Sequence, residues 1–167
     1  GRLARLRGDL EAASSAFRRA AELRLGIGSS RAVATWLDLA AVQSQRRDVQ
    51  GLSESVHRIQ RDCRVAEVAR HEGPLALAHL LLLAHRRDWK AWPKVFEEAR
   101  VALERDLVRS ENCSIFAGLA ADLAEEAGHA AEARQAQRLA ELQGCPDLEM
   151  PTMLIVDGML ARLPGRA

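Results

Sequence analysis

Arg46-Arg47-Asp48 separates two stretches of helical periodicity, with Trp36, Leu39, Ala40 and Gln43 before it and Leu52, Val56, Ile59 and Cys63 after it. Three- and four-residue spacing places each set on one face of a helix. A short polar interruption between two such faces is the turn of a helical hairpin. The unit recurs outward from this copy as Arg86-Arg87-Asp88, as Arg7-Gly8-Asp9 and, altered, as Ala127-Gly128-His129. The third residues of successive copies are 39, 40 and 41 positions apart. A fixed period of roughly 20–50 residues marks stacked repeats rather than a closed globule.

The hairpins predicted from these turns span about 1–25, 31–70, 74–109 and 111–143 of a single domain, 1–167. In the first, Leu3 and Leu6 precede the turn, and Ala13, Phe17 and Ala20 share a face after it. Gly26-Ile27-Gly28-Ser29-Ser30 then breaks the helix, and Ser29 or Ser30 can cap the next one. The second hairpin ends at Gly73-Pro74, because proline fits the first turn of a helix but not its interior. In the third, Leu75, Leu77 and Leu80 to Leu83 wrap most of a helix. Such a helix is either covered on several sides or exposes Leu77 and Leu81 as a binding patch. Its partner, about 88–109, holds Pro93 within its first two turns. The fourth sets Ala117, Ala120, Ala121 and Ala124 against Ala130, Ala133 and Ala140. An apolar stretch at about 151–163 is expected to cap the exposed end of the stack.

Composition agrees with an all-α chain. Of the 167 residues 48% are apolar and only 4% aromatic, with alanine and leucine dominant. The net charge of +1 gives none of the basic surplus that a duplex nucleic-acid binder uses. Acidic residues Glu22, Asp48 and Asp88 follow the arginine pairs and are expected to neutralise them locally. Cys63, Cys113 and Cys145 form no C-x-x-C pair, and their odd number points to a reducing compartment such as the cytoplasm. The longest apolar run, near Leu80 to Leu83, is too short to cross a bilayer, and no signal peptide is visible. Beginning at Gly1, the chain reads as a piece of something larger.

The hairpins resemble tetratricopeptide repeats. That resemblance is carried by Gly8-Asp9-Leu10, Ala13, Phe17 and Ala20 in the first repeat and by Asp88-Trp89, Trp92, Phe96 and Ala99 in the third. In the fourth it rests on Gly128-His129-Ala130, Ala133, Gln137 and Ala140. The second offers Trp36 and Leu39, then Asp48-Val49, Leu52, Val56 and Ile59. Arg47 and Arg87 stand where the family carries a turn glycine, and the period is longer than the family's own. Long repeats of this kind are similar to the helical arms of bacterial signalling and regulatory proteins. The resemblance implies a right-handed α-solenoid of antiparallel hairpins with no cofactor, binding a protein or peptide in a concave groove.

Carried over by turn position, that groove would be lined by Arg2 and Arg5, then Leu37, Ala41, Ser44 and Gln45. Leu77, Leu81 and His85 follow, and Asp122, Glu125 and Glu126 complete it. It would run from basic through apolar to acidic, which suits an extended peptide or a helix with an apolar centre. The alternative for the charges is an ordinary solvated face. The function expected is a protein-interaction segment of a larger signalling protein, with self-association into a homodimer as the second possibility. A metal-dependent enzyme is the remote third. His79 and His85 are six residues apart rather than four, and Gly73-Pro74 separates both from His71. No metal ligand set or catalytic residue is therefore expected. Cys113 is expected to be a buried structural cysteine.

Overall fold

The structure, a computed structural model, describes residues 1–25, 30–66, 72–105 and 111–143. Among them the chain forms helices α1 (Arg2–Leu6), α2 (Leu10–Leu25), α3 (Ser30–Gln45), α4 (Val49–Ala66), α5 (Glu72–Arg86), α6 (Trp92–Arg105), α7 (Glu111–Glu126) and α8 (Ala130–Gln143), with no strand. The segment at 151–163 and the serine Ser29 lie outside the described residues.

All four tripeptides build one turn. The middle residue is left-handed in each: φ is 76° at Gly8, 57° at Arg47, 55° at Arg87 and 81° at Gly128. Its N–H bonds the carbonyl three residues back, as in Arg47 to Ser44 at 2.9 Å and Gly128 to Glu125 at 2.9 Å. The third residue's N–H bonds the carbonyl five back: Asp9 to Ala4, Asp48 to Gln43, Asp88 to Leu83 and His129 to Ala124. This paired pattern satisfies the last free carbonyls of the first helix. Glycine enters such a conformation without the Cβ clash that any other residue meets. Arg47 and Arg87 adopt it regardless, so the turn is kept where the glycine is not.

The aspartates do a second job. Asp9 Oδ1 accepts from the Ala12 N–H at 3.0 Å, Asp48 Oδ1 from Gly51 at 2.9 Å and Asp88 Oδ1 from Ala91 at 3.2 Å. Each thus closes one helix and opens the next segment as an N-terminal cap. After Asp88 the chain makes a further turn over 89–91, and α6 starts only at Trp92. The helix expected from residue 88 begins later because Pro93 belongs in a first turn, where its missing N–H costs nothing.

Burial is concentrated on the first helices. In α3, Val33, Trp36, Leu37, Leu39, Ala40, Ala41, Val42, Gln43 and Ser44 are all buried, since this helix touches α2, α4, α5 and α7. Leu52 and Ile59 of α4 are fully buried against the same core. Each such side chain contributes about 1.5–3 kcal/mol over its exposed state. Gln43 tolerates burial because Ser55 Oγ donates to its Oε1 at 2.7 Å. The Arg58 guanidinium lies 4.8 Å from the Trp36 ring centroid and covers its face.

The last hairpin is placed differently from the others. α7 packs on α8 and α5 and reaches across to α3. Its buried alanines, Ala117, Ala120, Ala121 and Ala124, leave room for that approach. On α8 the buried positions are Ala136 and Leu139, whereas Ala130 is exposed. Of the other expected seam residues, Ala133 and Ala140 are half-buried, and Ala140 packs against the core.

Candidate functional site

Polar contacts tie the first helices together along one side. Arg2 Nε lies 3.6 Å from Asp38 Oδ2, and Arg5 Nε donates to Gln45 Oε1 at 3.2 Å, joining α1 to α3. The Asn112 side chain of α7 bonds Asp38, and Arg47 Nη2 donates to Glu126 Oε1 and Oε2 at 2.8 and 2.7 Å. Ser44 Oγ and His85 Nε2 are 2.8 Å apart, joining α3 to α5. Pairs taken in sequence order along each helix mean that α1, α3 and α7 run in the same direction.

Two of these groups carry displaced proton affinities. Burial pushes the Asp38 carboxyl up, and Arg2, Asn112 and Arg5 offset it only in part. Burial holds the His85 imidazole down, helped by the charge of Arg47 and opposed by Glu126. Asp122 and Glu125 are exposed on α7, and among the described residues neither has an ion-pair partner. A recess of about 400 Å³ opens beside Arg2, Phe17, Arg24 and Asp38 at the α1 end of this side.

The groove expected from sequence is altered at its centre. Leu37 and Ala41 of α3, and Leu77 and Leu81 of α5, are at most 1% exposed, and Ser44 is 4% exposed. They are buried, and α3, α5 and α7 contact one another directly. Of the two alternatives for the apolar helix of the third hairpin, burial is the one realised. Arg2, Gln45, Asp122, Glu125 and Glu126 remain exposed, while Arg5 and His85 are half-buried. What survives is a charged rim, arginines on α1 and carboxylates on α7, over a packed floor.

Other candidates resolve as follows. Cys113 is a buried residue, 1% exposed. His79 is half-buried on α5, its proton affinity lowered by burial and by His57 and raised by Glu98. Among the described residues no three His, Cys, Asp or Glu side chains are placed to hold a metal ion, and His71 lies outside those residues. Of the arginine pairs, Arg46-Arg47 is neutralised over longer range than expected, whereas Arg86 bonds the Ser53 hydroxyl. Arg46 pairs with Glu11 and Arg47 with Glu126, while Asp48 and Asp88 serve as caps. No described helix is long and apolar enough to cross a membrane.

Compared with protein families, curated proteins and solved structures, the chain matches none.

The half-buried Asp38 and the buried Asn112 escaped the sequence reading. Asp38 is the only charge between Ala32 and Gln45, and a lone carboxylate in an apolar helix is a detectable signal. Asn112, its partner on α7, had none, because the contact depends on how the last hairpin swings across α3.

Proposed function

We propose that this chain is a protein-interaction module: a short right-handed α-solenoid of tetratricopeptide-like hairpins within a signalling or scaffolding protein. It binds a peptide or partner domain at equilibrium, without covalent chemistry. The observation that carries this reading is the charged rim. Arg2 and Arg5 stand on α1, Asp122 and Glu125 on α7, and the buried faces of α3 and α5 hold them apart. Unlike charges fixed at separate places on a rigid floor select a partner by its own charge order and speed the encounter. The odd count of three cysteines with no C-x-x-C pair is in keeping with a reducing cytoplasm.

The test is selection from a displayed peptide library. Enriched peptides are expected to carry basic residues and to lose binding when Asp122→Lys and Glu125→Lys are combined, with the helical circular dichroism signal unchanged. Failure to enrich any sequence, or binding indifferent to both substitutions, would count against the reading.

A further inference from the structure

Four side chains converge where α3, α5 and α7 end. Ser44 Oγ and His85 Nε2 are 2.8 Å apart, and Arg47 Nη2 donates to both oxygens of Glu126 at 2.8 and 2.7 Å. His85 is half-buried, whereas Arg47 and Glu126 are more than half exposed. α5 packs on α3, α4, α6 and α7, yet among the described residues the charges that act on His85 are those of Arg47 and Glu126. Its neighbour Arg86 is turned away, to Ser53 on α4.

Neutral imidazole has one N–H, and the Ser44 hydroxyl satisfies Nε2 whether that nitrogen donates or accepts. Protonated imidazole has two. Nε2 then donates to Ser44, and the ring carries a positive charge. Arg47 repels that charge and Glu126 attracts it, but Glu126 is already held by Arg47. Two cations are left to share one carboxylate.

We propose that His85 is a proton-operated switch on the acidic end of the rim: once protonated it competes with Arg47 for Glu126, and it offsets the negative charge that Asp122, Glu125 and Glu126 offer a basic partner. The proposal rests on the reading of the chain as an interaction module and supplies its regulation. Burial and Arg47 hold the ring's proton affinity below the ordinary value of 6.5. A basic partner is therefore held at neutral pH and weakened in acid. The coupling is reciprocal: whatever the proton does to the Arg47–Glu126 pair, the pair does to the proton.

That reciprocity is the test. The histidine resonances are titrated in the wild type, Arg47→Gln and Glu126→Gln, with the His85 signal assigned by its loss in His85→Gln. Arg47 and Glu126 are exposed, and circular dichroism checks that each variant is folded. The His85 midpoint is expected to rise when Arg47 is replaced and to fall when Glu126 is replaced, both shifts shrinking with added salt. A midpoint that neither substitution moves overturns the proposal, as do shifts of the opposite sign.

Partner control is read by fluorescence anisotropy with dye-labelled hexalysine at pH 7.5 and at about pH 5. Wild-type affinity is expected to fall several-fold on acidification, and His85→Gln is expected to keep most of it. A fall that His85→Gln shows in full overturns the switch and leaves the interaction module standing. Midpoint shifts of the expected signs with no hexalysine binding support the proton coupling and count against the module.

Discussion

Arg47 places a single Nη2 within 2.8 and 2.7 Å of both Glu126 carboxylate oxygens, joining residues 79 positions apart. It does so from a left-handed backbone, φ 57°, at the turn between α3 and α4. The conformation costs about 1–2 kcal/mol for a residue with a Cβ. The ion pair is more than half exposed and offsets about 0–1 kcal/mol of that.

Arg87 occupies the same conformation, φ 55°, with no side-chain partner among the described residues. Arg87→Gly is therefore expected to stabilise the fold by about 0.5–1 kcal/mol, after allowing for the extra freedom glycine has when unfolded. Arg47→Gly is expected to gain less, because it also removes the Glu126 contact. Urea denaturation of the two variants measures the difference, and equal gains would mean that the ion pair adds nothing.

Gly51 reverses the usual rule that alanine improves a helix. A Cβ there would come within 2.4 Å of Asp48 Oδ2 and 2.7 Å of Gln43 Nε2. Gly51→Ala gains about 1 kcal/mol of helix propensity but displaces the cap, worth a similar amount, and disturbs the buried Ser55–Gln43 hydrogen bond. A net loss of stability is expected, and thermal unfolding shows its sign. At Gly118, where space is open, the same change is expected to raise the melting temperature.

These turns show what was legible in the chain and what was not. The position of each hairpin follows from local signals: helical periodicity on either side of Arg-x-Asp, and Pro74 in the first turn of α5. The groove residues depend on how separate hairpins lie on one another. Leu37 and Leu81 are buried where α3, α5 and α7 contact one another, and no spacing within one repeat records that. The charged rim residues were easier, since carboxylates such as Asp122 and Glu125 have few stable places other than the surface.

His79 and His85 make the fold acid-sensitive. Both have proton affinities below the ordinary histidine value of 6.5, chiefly through burial, with His57 acting on the first and Arg47 on the second. As pH falls below about 6.5 the unfolded chain takes up protons that the folded chain resists, so stability falls in that window. Glu98 and Glu126 reduce the effect without reversing it. Denaturation at pH 7.5 and at about pH 5 is expected to show a loss that His79→Gln with His85→Gln largely removes; an unchanged pH slope in that double variant would contradict the assignment.

Asp38 acts in the opposite sense. Its carboxyl titrates above the ordinary value of 3.8, so the folded chain binds the proton more tightly and pays for ionisation as pH rises through that range. Asp38→Asn keeps an acceptor for Asn112 and removes the partly buried charge. It is expected to raise the urea midpoint at neutral pH. A lowered midpoint would mean that Arg2 outweighs burial.

The helices α3, α5 and α7 close on one another and leave charged residues of α1 and α7 exposed. Equilibrium unfolding of Leu37→Ala tests that closure most directly, because Leu37 was expected to line an open groove and is 1% exposed. Closure predicts a loss of about 2–5 kcal/mol, the cost of emptying a packed site. A change within about 0.5 kcal/mol, as for an exposed side chain, would contradict closure.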